Sequence, residues 1–172
     1  MNPAQPDHAR PLAGLSPSAA KVQQALAAHG LNLDVMELTA TTRTAKDAAR
    51  AVGCEVGQIV KSLVFCTRCS GRPVLVVASG ANRVSEKAIA AVMGEPVGLA
   101  DPDFVRTQTG FAIGGVPPVG LASPMPVVID EDLLGYATIW AAAGNPHALF
   151  HLTPADLLAL TGGKVMAVKP KR

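Results

Sequence analysis

Residues 59–67, Ile-Val-Lys-Ser-Leu-Val-Phe-Cys-Thr, and 73–79, Pro-Val-Leu-Val-Val-Ala-Ser, constrain the fold of this chain more than any other feature. Both runs are rich in branched side chains and too short for a buried helix. The Ser70-Gly71-Arg72 stretch between them has the composition of a hairpin turn. A strand with one wet face alternates apolar and polar residues, and the second run does not alternate. It therefore predicts a central strand covered on both sides and paired with the first. In the first run side chains alternate between faces: Ile59, Lys61, Leu63 and Phe65 on one, Val60, Ser62 and Val64 on the other. Lys61 and Ser62 are the two polar interruptions.

The remaining elements follow from caps and stop signals. Ser16-Pro17 opens a helix stopped by Gly30, and residues 34–38 read as a short strand. Thr44 opens a second helix ending near Gly53, with Asp47 placed for a capping box. Ser85 caps a helix through Met93, and residues 101–109 form another. Strands are expected at 126–129, 136–142, 149–152 and 164–168, with a last helix from Thr153-Pro154 to Gly162. Strands and helices interleave without a strict repeat. The fold class is therefore mixed α/β, an α+β single domain with a curled mixed sheet or barrel-like core surrounded by helices. The polar, Pro-containing residues 1–14 read as a flexible leader before one domain over 15–172.

Composition narrows the function. Aromatics are only 3% of the chain, so base stacking cannot be its main grip on a nucleic acid. A net charge of +2 excludes a generally basic surface and leaves local clusters, such as Lys164, Lys169, Lys171 and Arg172. That tail reads equally as a solvated terminus. No apolar run reaches the ~20 residues that span a bilayer, and the start lacks a signal-peptide segment, so a cytoplasmic protein is expected.

Lys61, in a strand apolar on both faces, must reach water, pair with an acid or face a cleft. The Gly114-Gly115 pair, stiffened by Pro117 and Pro118, makes a turn that another group can approach closely, or a plain connection. Asn145-Pro146-His147 is a loop with a candidate base in His147, or an exposed histidine. Cys66-x-x-Cys69 has the spacing of a redox pair or half a zinc site, yet lies where the hairpin turn is expected. No triad order, HExxH, P-loop or GxGxxG is present.

Taken together, Thr44-Ala45-Lys46-Asp47-Ala48-Ala49, the run Gln58 to Phe65, the segment Thr109 to Pro118 and Leu149-Phe150-His151-Leu152-Thr153-Pro154 resemble the YbaK/EbsC family, the prolyl-tRNA-synthetase-associated editing domains. The likeness runs from about Ser16 to Val168. It implies hydrolysis of mischarged aminoacyl-tRNA, on tRNA-Pro or a related tRNA carrying a small amino acid such as Ala, Ser, Thr or Cys. It implies no cofactor and no metal. The partner would be the aminoacylated acceptor end of tRNA, with an aminoacyl-tRNA synthetase as a second candidate, no membrane, and a monomer or weak dimer. By the same resemblance Lys61, Gly114 and Gly115 are the catalytic positions, and Leu38, Thr39, Ser62, Phe111, Ile113, Asn145 and His147 the substrate contacts. In the alanine-specific branch an Asn follows the strand lysine, where this chain has Ser62, so the amino acid stays open. Two other readings remain: a non-catalytic nucleic-acid-binding module of the same fold, and a cysteine-based redox or zinc protein.

Overall fold

The structure, a computed structural model, describes residues 14–171. The expected leader therefore lies, apart from Gly14, outside the described residues, as does Arg172. Five helices carry the caps their sequences call for: α1 (Pro17–Ala28), α2 (Ala45–Val52), α3 (Glu86–Met93), α4 (Pro102–Thr109) and α5 (Pro154–Thr161). Each N-cap side chain accepts a backbone N–H, from Ser16 at α1 to Thr153 at α5, and such caps contribute about 1 kcal/mol each. The reciprocal bond expected at α2 is made instead at α5, where Asp156 accepts from the Thr153 N–H.

Eight strands form one mixed sheet: β1 (Val35–Glu37), β2 (Ile59–Thr67), β3 (Pro73–Ser79), β4 (Val97–Leu99), β5 (Val127–Asp130), β6 (Ile139–Ala142), β7 (Ala148–Leu152) and β8 (Lys164–Met166). Their order is β1-β7-β6-β2-β3-β5-β8, with β4 also on β2. The sheet is open; it does not close into the barrel that was one of its two expected forms. β2 and β3 make the antiparallel hairpin, from Val60↔Ser79 to Cys66↔Pro73, and β3 lies inside the sheet between β2 and β5.

The other edge of β2 is shared. Its start pairs in parallel with β6 at Ile59 and Val60, and its end pairs antiparallel with β4 from Phe65 to Thr67. Between Val60 and Val64 neither neighbour takes that edge, so the sheet forks there. The strand expected at 136–142 starts later, because residues 131–135 wind into a 3-10 turn on the Asp130 cap.

Three apolar clusters fill the fold, and β2 belongs to all of them. Val60 and Val64 enter the largest, beneath α1 and around Phe150; Phe65 enters the one under α3; Ile59 enters the one under α2. The alternation of faces read from the sequence holds throughout the strand.

A candidate active-site cleft at the fork in the sheet

A cleft of about 250 Å³ opens where β6 and β4 part. Its floor is apolar, made by Val60, Val116, Ala142 and Leu149, and one wall is α2, through Ala45 and Ala48. Lys61 and Ser62 reach it from β2, Ile113 and Gly114 from the segment after α4, and Thr42 and Arg43 from the loop before α2. Adjacent β2 residues point to opposite faces, and both line the cleft because the edge of β2 away from β3 has no neighbour at that point.

Lys61 is half-buried and tightly placed. Its Nζ donates to the Asn82 carbonyl at 2.6 Å. The Asn82 amide in turn donates to Asp130 Oδ2 and Asp132 Oδ2, both at 2.8 Å. Asp130 is buried, accepts the Ser79 N–H and caps the 3-10 turn through Oδ1, while Asp132 pairs with Lys169 at 3.0 Å. Burial pushes the Lys61 ammonium below its ordinary pKa, and the charge of Asp130 opposes that fall. The outcome is a cation fixed by a backbone carbonyl, not neutralised by a direct carboxylate contact.

Ser62 supplies the other polar atom. Its hydroxyl oxygen is shielded from water and has no hydrogen-bond partner. A buried hydroxyl without a partner costs about 1–3 kcal/mol, so the site retains an unmet need for one. A fixed cation and an orphan hydroxyl above an apolar floor can polarise a carbonyl and orient a small uncharged group beside it.

The two glycines of the turn separate into different tasks. Gly114 lines the cleft at φ +93°, a backbone angle that side chains resist. Gly115 packs against the Gly144-Asn145 backbone, where an added Cβ would lie 2.6 Å from Asn145 N and Cα. Its N–H is committed to the Ala112 carbonyl, and its carbonyl accepts from Gly144 N–H. Asn145 is likewise engaged: its amide donates to Ser16 Oγ, Ser18 Oγ and Glu37 Oε2, tying α1, β1 and this loop together. Glu37, buried, also accepts the Ser16 N–H.

The other expected contacts are dispersed. Leu38 and Phe111 are core residues, and Lys21 Nζ sits 4.8 Å from the Phe111 ring centre. Thr39 is exposed. His147 is exposed too, and its Nδ1 donates to the Ala40 carbonyl at 3.1 Å. Thr42 and Arg43 were not singled out from the sequence. Thr42 is brought in by two bonds to the Pro146 carbonyl, 104 residues away, from its N–H at 2.6 Å and its hydroxyl at 2.8 Å. Cys66 is the penultimate residue of β2 and Cys69 is exposed in the hairpin turn; both are free thiols. Among the described residues no group of three or more His, Cys, Asp or Glu could hold a metal ion.

Fold and cleft define a class: a single α+β domain with a small ligand site at a fork in an open sheet. A solved structure of a candidate trans-editing enzyme for prolyl-tRNA synthetase superposes with a TM-score of 0.87 at 55% identity, over 92% of this chain and 100% of that one. The uncharacterized protein YwhH of Bacillus subtilis (strain 168) is 34% identical over 133 residues, 77% of this chain and 83% of its own length. EbsC of Enterococcus faecalis (strain ATCC 700802 / V583), a candidate Cys-tRNA(Pro)/Cys-tRNA(Cys) deacylase, is 29% identical over 129 residues, 74% of this chain and 78% of its own. Residues 39–160 match the aminoacyl-tRNA editing domain, and the chain belongs to that family, in its YbaK/EbsC form.

Proposed function

We propose that this protein is a trans-acting deacylase. It hydrolyses the ester between a small, wrongly attached amino acid and the terminal ribose of a tRNA, in the cytoplasm, after a synthetase has released it. The observation that carries this reading is the small cleft shared by Lys61, Ser62 and Gly114 in a chain of this family. Water attacks the ester carbonyl, the bond to the ribose oxygen breaks, that oxygen takes a proton, and the amino acid leaves as its carboxylate. Lys61 faces the negative charge that develops on the carbonyl oxygen. Ser62 offers its unpartnered hydroxyl to the amino acid, and the apolar floor of a cleft of about 250 Å³ favours short side chains such as those of Ala, Ser, Thr or Cys on tRNA-Pro or a related tRNA. The cleft lining holds no Asp, Glu or His, so the neighbouring ribose hydroxyl of the substrate relays the proton. It takes one from the attacking water as it passes its own to the leaving ribose oxygen, while the carboxyl proton is lost to solvent; no metal is invoked.

The test is deacylation of a panel of mischarged tRNAs by wild type, Lys61→Ala and a Cys66→Ser/Cys69→Ser double variant, with and without chelator. Lys61→Ala is expected to lower kcat about 100-fold or more, the usual scale for removing one group that stabilises an oxyanion. The cysteine variant and the chelated enzyme should keep full activity. Absence of turnover on every substrate would sink the reading.

A further inference from the structure

Lys61 borders two cavities, and the cleft is the smaller of them. On its other side lies a wider trough of about 870 Å³, which shares Lys61 and Leu63 with the cleft. Past that trough, and sharing Ser85 and Pro170 with it, a third groove of about 460 Å³ runs between α3 and the C-terminal segment. The groove is built into the fold. Ser85 N–H donates to the Val168 carbonyl at 2.7 Å and Val168 is fully buried, so Pro170 and Lys171 leave the domain beside the start of α3.

The charges along this path are predominantly positive. Arg83 lines the trough, and Lys87, Lys169 and Lys171 line the groove; Glu86 is the one acid on either lining. Lys169 is held by Asp132, but Arg83, Lys87 and Lys171 are exposed, and no acid is paired with them among the described residues. In a chain whose net charge is only +2, three uncommitted cations along one path beside the cleft are a local concentration. Leu99, 63% exposed, adds an apolar surface in the trough where a base can rest.

We infer that the trough and the lysine groove form the track for the single-stranded 3′ end of the tRNA. The terminal nucleotide lies in the trough beside Lys61, and the preceding phosphates pass Arg83, Lys87 and Lys171. This rests on the proposed deacylase reading and gives it a direction of approach: over α3 and the C-terminal segment, not over α2, whose exposed Lys46 and Arg50 stand on the other side of the cleft wall. The cleft takes the amino acid and the trough takes the nucleotide. Lys61 stands at the ester between them.

Binding of uncharged tRNA, measured across a salt series, tests the track without depending on catalysis. The Lys87→Glu/Lys171→Glu variant should weaken binding at least tenfold and flatten the slope of log K against log salt by about 0.7 per lost phosphate contact. Lys46→Glu/Arg50→Glu should leave both unchanged. In deacylation assays the same loss should fall on KM for mischarged tRNA, with hydrolysis of a bare aminoacyl-adenosine unaffected. Equal tRNA binding by wild type and the Lys87/Lys171 variant, or a loss confined to the Lys46/Arg50 variant, overturns the track and leaves the deacylase standing. Weakened binding in the Lys87/Lys171 variant of a protein that hydrolyses no substrate supports the track and overturns the deacylase.

Discussion

Ser62 carries the most specific consequence at the scale of single residues. Its hydroxyl makes no hydrogen bond within the protein, so removing it takes away an unsatisfied polar atom and breaks no bond of the fold. The Ser62→Ala protein should therefore melt at the same temperature as wild type or slightly above it. If the hydroxyl serves the bound amino acid, kcat/KM should fall about tenfold, the worth of one hydrogen bond of ~1.4 kcal/mol. A drop in melting temperature with unchanged kinetics would assign Ser62 to the fold instead. Gly115 shows the opposite case: a residue that the family resemblance marks as catalytic has its N–H already bonded and its Cα face pressed against Asn145. From sequence, two adjacent glycines are indistinguishable. Only the partner backbone, which arrives from thirty positions further along the chain, tells the one that lines the cleft from the one that packs.

At the scale of elements, β5 and the 3-10 turn after it position Lys61 from the far side of β3. Asp130 leaves the end of β5, fixes Asn82, and so fixes the carbonyl that Lys61 Nζ bonds. Its charge also holds the lysine's pKa up against burial. The groups around this ammonium are Asp130 and Asp132 from that turn, Lys169 paired with Asp132, Arg83 and Glu86 along the trough, and Arg43 at the cleft rim. Neutralising Asp130 removes a favourable charge, so the Lys61 pKa falls further below 10.5. If Lys61 acts as a cation, activity is lost as pH rises through that pKa, and the alkaline limb of the kcat profile should move to lower pH in Asp130→Asn. An unmoved limb with a uniformly lower rate would mean that Asp130 supports only the fold. The parts of this arrangement differ in how legible they were. β2, β3 and α3 were readable to the residue, because branched runs, a Ser cap and a Gly stop mark their ends. β4 was not, since three residues around Gly98 give no period, and its Cα packs under the Arg68 guanidinium. Lys61 and Ser62 were visible as polar breaks in an apolar strand. Thr42 and Arg43 were not, because a loop is placed by its long-range bonds and not by its own pattern.

Across the whole molecule, β2 is the one strand that enters all three apolar clusters, and this sets how the fold should come apart. Ile59 packs under α2, Val60 and Val64 face the large cluster, and Phe65 packs under α3. No cluster can lose its share of β2 without pulling that strand's hydrogen bonds to β3, β4 or β6. The cleft lies between two of the clusters, so its shape depends on the same strand. Unfolding should therefore be one cooperative step despite the open sheet and the several clusters. The chain offers a direct probe, because its single tryptophan, Trp140, packs against the α2 cluster and stacks on His151 at 4.4 Å. Trp fluorescence reports the α2 side, while far-UV circular dichroism reports every helix and strand. The two signals should trace the same urea transition, with one midpoint and one slope. A fluorescence change that precedes the loss of secondary structure would show α2 opening by itself. The wall of the cleft would then be a lower-stability unit able to part from β2 and admit a larger acyl group than the 250 Å³ cleft holds.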